Sequence, residues 1–169
     1  MALMFATDDI AAAARLIELL RARKLKICTA ESCTGGLIAA LLTEVPGASD
    51  VVDRGYVTYS NGAKCDLLDV PATLIGRYGA VSAEVALAMA SGAVRMSGTD
   101  LAVAVTGIAG PGGGSTAKPV GLVHLAAHVR GGQPLMAELR LGAIGRAAIR
   151  LATVREALVL CMKAIAPAA

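Results

Sequence analysis

From Leu101 to Ala117 the chain runs for 17 residues without an aspartate, glutamate, lysine or arginine. The mean hydropathy is +0.64 and 56% of the residues are hydrophobic, so this gap is where a membrane-spanning helix would have to lie. It cannot hold one. Gly107, Gly110, Pro111, Gly112, Gly113 and Gly114 fall inside it, whereas a span needs about 20 apolar residues in continuous helix. The stretch divides instead into a β-forming half, Leu101 to Thr106, and a glycine-rich half, Gly107 to Ser115. A buried strand emptying into a small-residue loop is the signature of a layered α/β domain, and it leaves no membrane contact to expect.

Charge and composition narrow the classes further. A length of 169 residues suits one domain. The net charge of +3 and the high apolar content argue against disorder. The densest basic cluster is Arg21, Arg23, Lys24 and Lys26, read as the solvated end of a helix. With Phe5, Tyr56, Tyr59 and Tyr78 the only aromatics, there is no base-stacking platform, and no direct nucleic-acid binding is expected. Acids, Asp8 and Asp9, stand where a signal peptide would carry bases, so the expected location is cytoplasmic. Cys28, Cys33, Cys65 and Cys161 show no CxxC pair, and His124 and His128 are the only histidines. Neither a zinc site nor a disulfide framework is expected. The surplus of apolar residues is compatible with a homo-oligomer.

Periodicity predicts a helix over Thr7 to Arg23, capped by Thr7 or Asp8, then a strand over Leu25 to Thr29 and a small-residue turn from Ala30 to Gly36. A helix over Leu37 to Thr43 stops at Pro46-Gly47. A strand over Val51 to Tyr59 turns through Ser60-Asn61-Gly62 into a short helix holding Lys64 and Leu67-Leu68. Pro71 sits in the first turn of a helix to Tyr78, and Ser82 caps one to Met96. After the Leu101 strand and its loop, strands over Val120 to Val129 and Leu135 to Leu141 form a hairpin across Gly131-Gly132. A helix closes the chain from about Ile144 to Ala166. Helices alternating with strands predict a single three-layer α/β/α sandwich, and the hairpin makes its sheet mixed.

Chemistry is expected beyond the carboxyl ends of the strands. Two segments match that position: Ile27 to Gly36, and Thr106 to Gly114. Ser32 would lie near a helix N-terminus, among free backbone donors. Little supports a Ser-His-Asp triad, because both histidines fall inside a strand. A desolvated lysine can serve as the base instead, and Lys64 follows the strand exit Val57-Thr58-Tyr59-Ser60-Asn61. Each residue also has a plain reading: Ser32 as an N-cap, Lys64 as a solvated helix lysine, Tyr59 as a packed strand tyrosine, the glycine run as a simple loop. Cys33 reads as a buried packing residue.

Four motifs, in order, resemble the C-terminal domain of the CinA (competence/damage-inducible) family. They are Thr29-Ala30-Glu31-Ser32-Cys33-Thr34-Gly35-Gly36; Val57-Thr58-Tyr59-Ser60-Asn61 with Lys64; Gly79-Ala80-Val81-Ser82 with Glu84; and Thr106-Gly107-Ile108-Ala109-Gly110-Pro111-Gly112-Gly113 followed by Lys118-Pro119-Val120-Gly121. The likeness runs from about Ile10 to Lys163, so residues 1–169 are expected to form one such domain. Many family members carry an additional N-terminal domain resembling molybdopterin-binding proteins. This chain begins about nine residues before its first helix, and that domain is expected to be absent.

The resemblance implies hydrolysis of nicotinamide mononucleotide to nicotinic acid mononucleotide and ammonia, without cofactor or metal, in pyridine nucleotide recycling. It implies Ser32 as nucleophile, Lys64 as its base and Tyr59 as a third catalytic residue that relays a proton or orients the lysine. Thr106, Gly107, Gly110, Gly112 and Gly113 would line the substrate, with Arg146 on its phosphate. Backbone N–H groups of Cys33, Thr34 and Gly35 would hold the oxyanion. Arg146 and Arg150 reproduce the family's paired arginines, but the family commonly reads Gly-Asp-Arg at the first of them, whereas Ile144-Gly145-Arg146 stands here. Either Arg146 is oriented differently or its partner lies elsewhere. The alternatives are an amidase for a related nucleotide amide, and a non-catalytic binding protein linked to competence or DNA damage.

Overall fold

The structure, a computed structural model, describes residues 5–166. A five-stranded sheet in the order β2-β1-β3-β4-β5 forms its middle layer. β1 (Ile27–Glu31), β2 (Val52–Val57) and β3 (Leu101–Gly107) run parallel, while β4 (Leu122–Val129) and β5 (Leu135–Arg140) complete the sheet as an antiparallel hairpin. The expected α/β/α sandwich with a mixed sheet is therefore what the chain adopts.

The two faces of the sheet carry different side chains. Ile27, Leu101, Val103, Val105 and Leu125 point to one side, where they bury α1 (Thr7–Ala22), α2 (Leu37–Thr43) and α6 (Arg146–Ala164). Cys28, Ala30, Ala102, Ala104 and Ala126 point to the other, under α5 (Ala83–Ser97) with α3 (Asn61–Leu68) and α4 (Ala72–Tyr78) alongside. Alternation along each strand separates bulky residues from alanines. The alanine face lets α5, itself built on Ala86, Ala90 and Ala93, lie close against the strands. Glycine extends this close packing at Gly92, where α5 meets the end of α3.

The connections decide where a site can form. The chain leaves β1 to α2 on the bulky face, and leaves β2 to α3 on the alanine face. Neighbouring strands whose exits diverge to opposite faces open a crevice at their carboxyl ends. Residue 32 follows β1 and residues 58–64 follow β2, so they border that crevice.

Several boundaries differ from the periodic reading. β1 lies two residues later than expected, at Ile27–Glu31, because Leu25 N–H still bonds to Leu20 O of α1 and Lys24 turns the chain at φ 56°. Ala30 and Glu31, expected in a turn, are thus the buried end of a strand. α1 begins after Ala6 with no side-chain cap, so neither Thr7 nor Asp8 serves. Pro71 occupies the N-cap of α4. β4 starts at Leu122 because Gly121 packs against the Gly142 backbone at φ 89°. Ser60 and Ser82 both accept a backbone N–H as N-caps, from Ala63 and Val85.

Gly92 gives the packing a direct test. A Cβ there would lie 2.0 Å from the Leu68 carbonyl oxygen, a backbone atom that cannot swing aside. Gly92→Ala is expected to lower unfolding stability by about 1–3 kcal/mol, although alanine is the better helix former. The midpoint of urea denaturation measures it, and an unchanged midpoint contradicts the close approach.

Candidate active site

The loop after β1 is built around Glu31. Its side chain is fully buried, and its carboxylate accepts from the N–H groups of Gly36, Ile38 and Ala39 at 2.9–3.0 Å and from the Thr29 hydroxyl at 3.1 Å. The open donors of α2 are therefore taken by Glu31. Ser32 does not cap this helix, which corrects the N-cap reading; among the described residues the unbonded N–H groups near Ser32 are those of Cys33 and Thr34 in its own turn. The strand's last carboxylate folds back on the helix start, and the loop between is drawn into a tight turn. Gly35 N–H closes it on Ser32 O at 3.1 Å, with Gly35 and Gly36 at positive φ. Ser32 N–H bonds Val105 O at 3.1 Å, which ties the turn to β3.

Lys64 comes to Ser32 from α3. It is 1% exposed, and its Nζ lies 3.0 Å from Ser32 Oγ, 2.8 Å from Thr58 O and 3.5 Å from Ser60 O. The reading of Lys64 as a solvated helix lysine is overturned. All three neighbours are neutral oxygens. Burial pushes the amine below the ordinary lysine value of 10.5. A deprotonated amine fits these partners: its two N–H groups can donate to the carbonyls, leaving the lone pair for the serine proton. Such a pair can perform nucleophilic catalysis.

A second cluster forms the rim. Arg146, the first residue of α6, donates to Tyr59 Oη at 2.9 Å and to Gly110 O at 3.0 Å. With Gly145 in the aspartate's place, the guanidinium finds its partners on other segments. Tyr59 is 61% exposed, so it is a rim residue and not a packed strand tyrosine. Its hydroxyl accepts from Arg146, and the Thr58 and Ser60 carbonyls hold the Lys64 amine, so the expectation that Tyr59 orients the lysine is corrected. Thr106 stands one residue beyond Val105, and its hydroxyl donates to Ala80 O at 2.8 Å. Gly107 ends β3, pressed against Val123 and Leu122 O. Gly110 abuts Val120, while Gly112 and Gly113 are exposed and bring no side chain to the cluster. Ser115 and Lys118 exchange hydrogen bonds, and Lys118 Nζ donates to Tyr78 O and Val81 O, so the loop is anchored at its far end.

Two contributors were not singled out from sequence as site residues. Glu31 was placed in a turn. Arg150, noted only as the second of a pair, donates to Cys33 O at 3.2 Å and Thr34 O at 2.7 Å. The signal for it was its spacing: Arg146 and Arg150 are one turn apart on one helix face. Cys33 is buried, and burial pushes its thiol up to about 11, so it remains a thiol near neutrality. His124 and His128 lie on β4, away from Ser32. Among the described residues, no His, Cys, Asp and Glu side chains gather as a metal-binding group, and no helix is long and apolar enough to cross a membrane.

Comparison with known proteins places this geometry. Residues 9–165 match the model of the CinA C-terminal domain. A CinA-like protein of Akkermansia muciniphila is 61% identical over 109 residues, 64% of this chain and 26% of that protein. One of Parasynechococcus marenigrum is 49% identical over 91% of this chain and 37% of its own length. The chain thus spans roughly a quarter to a third of the length of such relatives. Among solved structures, the competence/damage inducible protein CihA from Agrobacterium tumefaciens superposes with a TM-score of 0.94 at 55% identity, covering 97% of this chain and 99% of that one. A CinA superfamily protein from Klebsiella pneumoniae superposes at 0.87 with 34% identity, over 92% and 96%.

The depressed Lys64 amine makes a prediction independent of any substrate. The unfolded chain holds this proton more tightly than the folded one, so unfolding takes up a proton between the lowered value and 10.5. The lysine's contribution to stability is therefore least below that window and rises with pH through it. The stability of the native chain minus that of Lys64→Met, from urea denaturation at increasing pH, should climb. A difference that is flat or falls with pH contradicts a depressed amine.

Proposed function

This chain belongs to the CinA C-terminal domain family, and from that premise we propose that it is a nicotinamide-nucleotide amidase, converting nicotinamide mononucleotide and water to nicotinic acid mononucleotide and ammonia by a serine–lysine mechanism. The observation that carries the reading is the buried Lys64 amine, 3.0 Å from Ser32 Oγ and, among the described residues, with no carboxylate paired to it. A surface lysine has no reason to be desolvated beside a serine, and a base for that serine does.

In this mechanism the Ser32 hydroxyl passes its proton to Lys64 Nζ as Oγ attacks the carboxamide carbon. Thr58 O and Ser60 O hold the amine in place throughout. The new oxyanion falls to the N–H groups of Cys33 and Thr34, which bond to no other group among the described residues. Gly35, the third expected donor, is already committed to Ser32 O. The C–N bond then breaks, and the proton on Lys64 goes to the departing nitrogen, releasing ammonia and leaving a Ser32 ester. Water, deprotonated by Lys64, hydrolyses the ester. A preorganised oxyanion donor contributes about 3–4 kcal/mol to such a step.

Arg146 is the residue for the phosphate. Its present partners, a phenol and a carbonyl, are neutral and weaker acceptors than a phosphate dianion, which can take the guanidinium bidentately. Tyr59, exposed beside it, offers an aromatic face to the pyridine ring. Thr106 and the glycine loop through Gly107, Gly110, Gly112 and Gly113 line the rest of the substrate site, with Gly110 O on the same rim as Arg146. The working compartment proposed is the cytoplasm.

Ammonia release from nicotinamide mononucleotide by the purified protein tests the proposal. Ser32→Ala and Lys64→Ala should lower kcat by about a thousandfold or more. Lys64→Arg should not restore it, because arginine stays charged. Turnover of the native enzyme should rise with pH along a limb below the ordinary lysine value, since only the neutral amine accepts the proton. Arg146→Ala should raise KM about tenfold to a hundredfold, the range for a hydrogen bond to a charged group. No ammonia, with salt-sensitive retention of DNA, would favour the binding-protein alternative.

A further inference from the structure

The loop that carries Ser32 is gripped from two sides by opposite charges. Glu31 holds its far end through Gly36, Ile38 and Ala39. On the α6 side the Arg150 guanidinium spans two consecutive carbonyls, Cys33 O through Nε and Thr34 O through Nη2. A Cβ built on Gly35 would come within 3.4 Å of the same Nη2, so the guanidinium lies close against the turn. The acceptors are neutral carbonyls and not a carboxylate, which makes this a clamp on backbone and not an ion pair.

A carbonyl and the N–H that follows it belong to one rigid trans plane and point in opposite directions. Fixing Cys33 O therefore fixes the Thr34 N–H, and fixing Thr34 O fixes the Gly35 N–H. The second of these is seen in place, donating to Ser32 O. The first has no partner among the described residues and is turned away from α6. Only an arginine has donors spaced to hold two adjacent planes at once. A lysine, as a point charge, can satisfy one.

We infer that Arg150 is a positioning residue of the nucleophile loop: by clamping the Cys33 and Thr34 carbonyls it aims the Thr34 N–H that stabilises the oxyanion formed at Ser32. The inference rests on the serine–lysine reading above, but not on the identity of the amide. Arg150 touches neither Ser32 Oγ nor the rim formed by Arg146, Tyr59 and Gly110. Its loss should therefore slow formation of a tetrahedral centre and leave substrate affinity alone.

The test uses a fluorophosphonate probe on the full chain. Ser32 Oγ attacks phosphorus, fluoride leaves, the serine proton passes to Lys64, and the phosphoryl oxygen occupies the oxyanion position. The labelling rate is followed by mass spectrometry. Arg150→Ala should label about a hundredfold more slowly, the effect of losing one preorganised oxyanion donor, and added guanidinium ion should restore part of the rate. Arg155→Ala, on the same helix, removes the bidentate ion pair to Asp9 and should label at the native rate, which separates loss of stability from loss of positioning. If Arg150→Ala does not fold, Arg150→Lys decides: slower labelling at an unchanged melting temperature supports the inference. Native-rate labelling of the Arg150 variant overturns it, as does failure of the native protein to label at Ser32. Ammonia release from nicotinamide mononucleotide, run in parallel, scores the substrate separately. A protein that labels as described but releases no ammonia keeps the clamp and loses the proposed substrate.

Discussion

The buried carboxylate of Glu31 is the interaction on which the rest of the site depends. Three backbone N–H groups and a hydroxyl converge on it from β1 and the start of α2. Hydrogen bonds to an ionised acceptor contribute about 1.5–3 kcal/mol each, and removing the carboxylate would leave those donors buried and unpaired. This one side chain makes the end of a strand and the start of a helix a single rigid corner. The direction of Ser32 follows from that corner. An aspartate or an alanine here would leave the reactive turn without its inner anchor.

The asymmetry of the sheet supplies the environment. Bulky aliphatic residues fill the face under α1, α2 and α6, and alanines line the face under α5. Small residues let helices and strands approach closely, and close approach excludes water. Lys64 enters from that side and is desolvated to 1% exposure. A charged amine is costly in such a place unless paired, and among the described residues no carboxylate pairs with it. Burial where α3 meets the exits of β1 and β2 is what lowers the lysine's proton affinity.

Charge is used sparingly across the crevice. Lys64, Arg146 and Arg150 all meet neutral oxygens. For Lys64 this favours the unprotonated amine. For Arg146 it leaves a guanidinium whose present partners a phosphate can outcompete. For Arg150 it converts a cation into a brace for peptide planes. The same residue class does three different jobs, set by depth of burial and by which oxygens lie within reach.

Local chemistry in the sequence was enough to indicate the layers, the hairpin, the two small-residue loops that follow strands and the approximate extent of the five strands and six α-helices. Hydrophobic periodicity, serine caps and glycine breaks act over a few residues, and their signals survive in one dimension. The motif order also identified Ser32, Lys64, Tyr59, Thr106 and Arg146 as candidates together. Beyond that, local reading ran out. Glu31 looked like part of a turn because its partners, Gly36 to Ala39, are ordinary backbone. Arg150 was legible only as the second of two paired arginines, because its acceptors are carbonyls more than a hundred residues away. Gly35 was expected to donate outward and instead closes its own turn. Whether Lys64 was a solvated or a buried base depended on how α3 docks against the alanine face. Desolvation and hydrogen-bond partners across the fold are properties of three-dimensional packing, which no local pattern encodes, and the tertiary structure alone decided them.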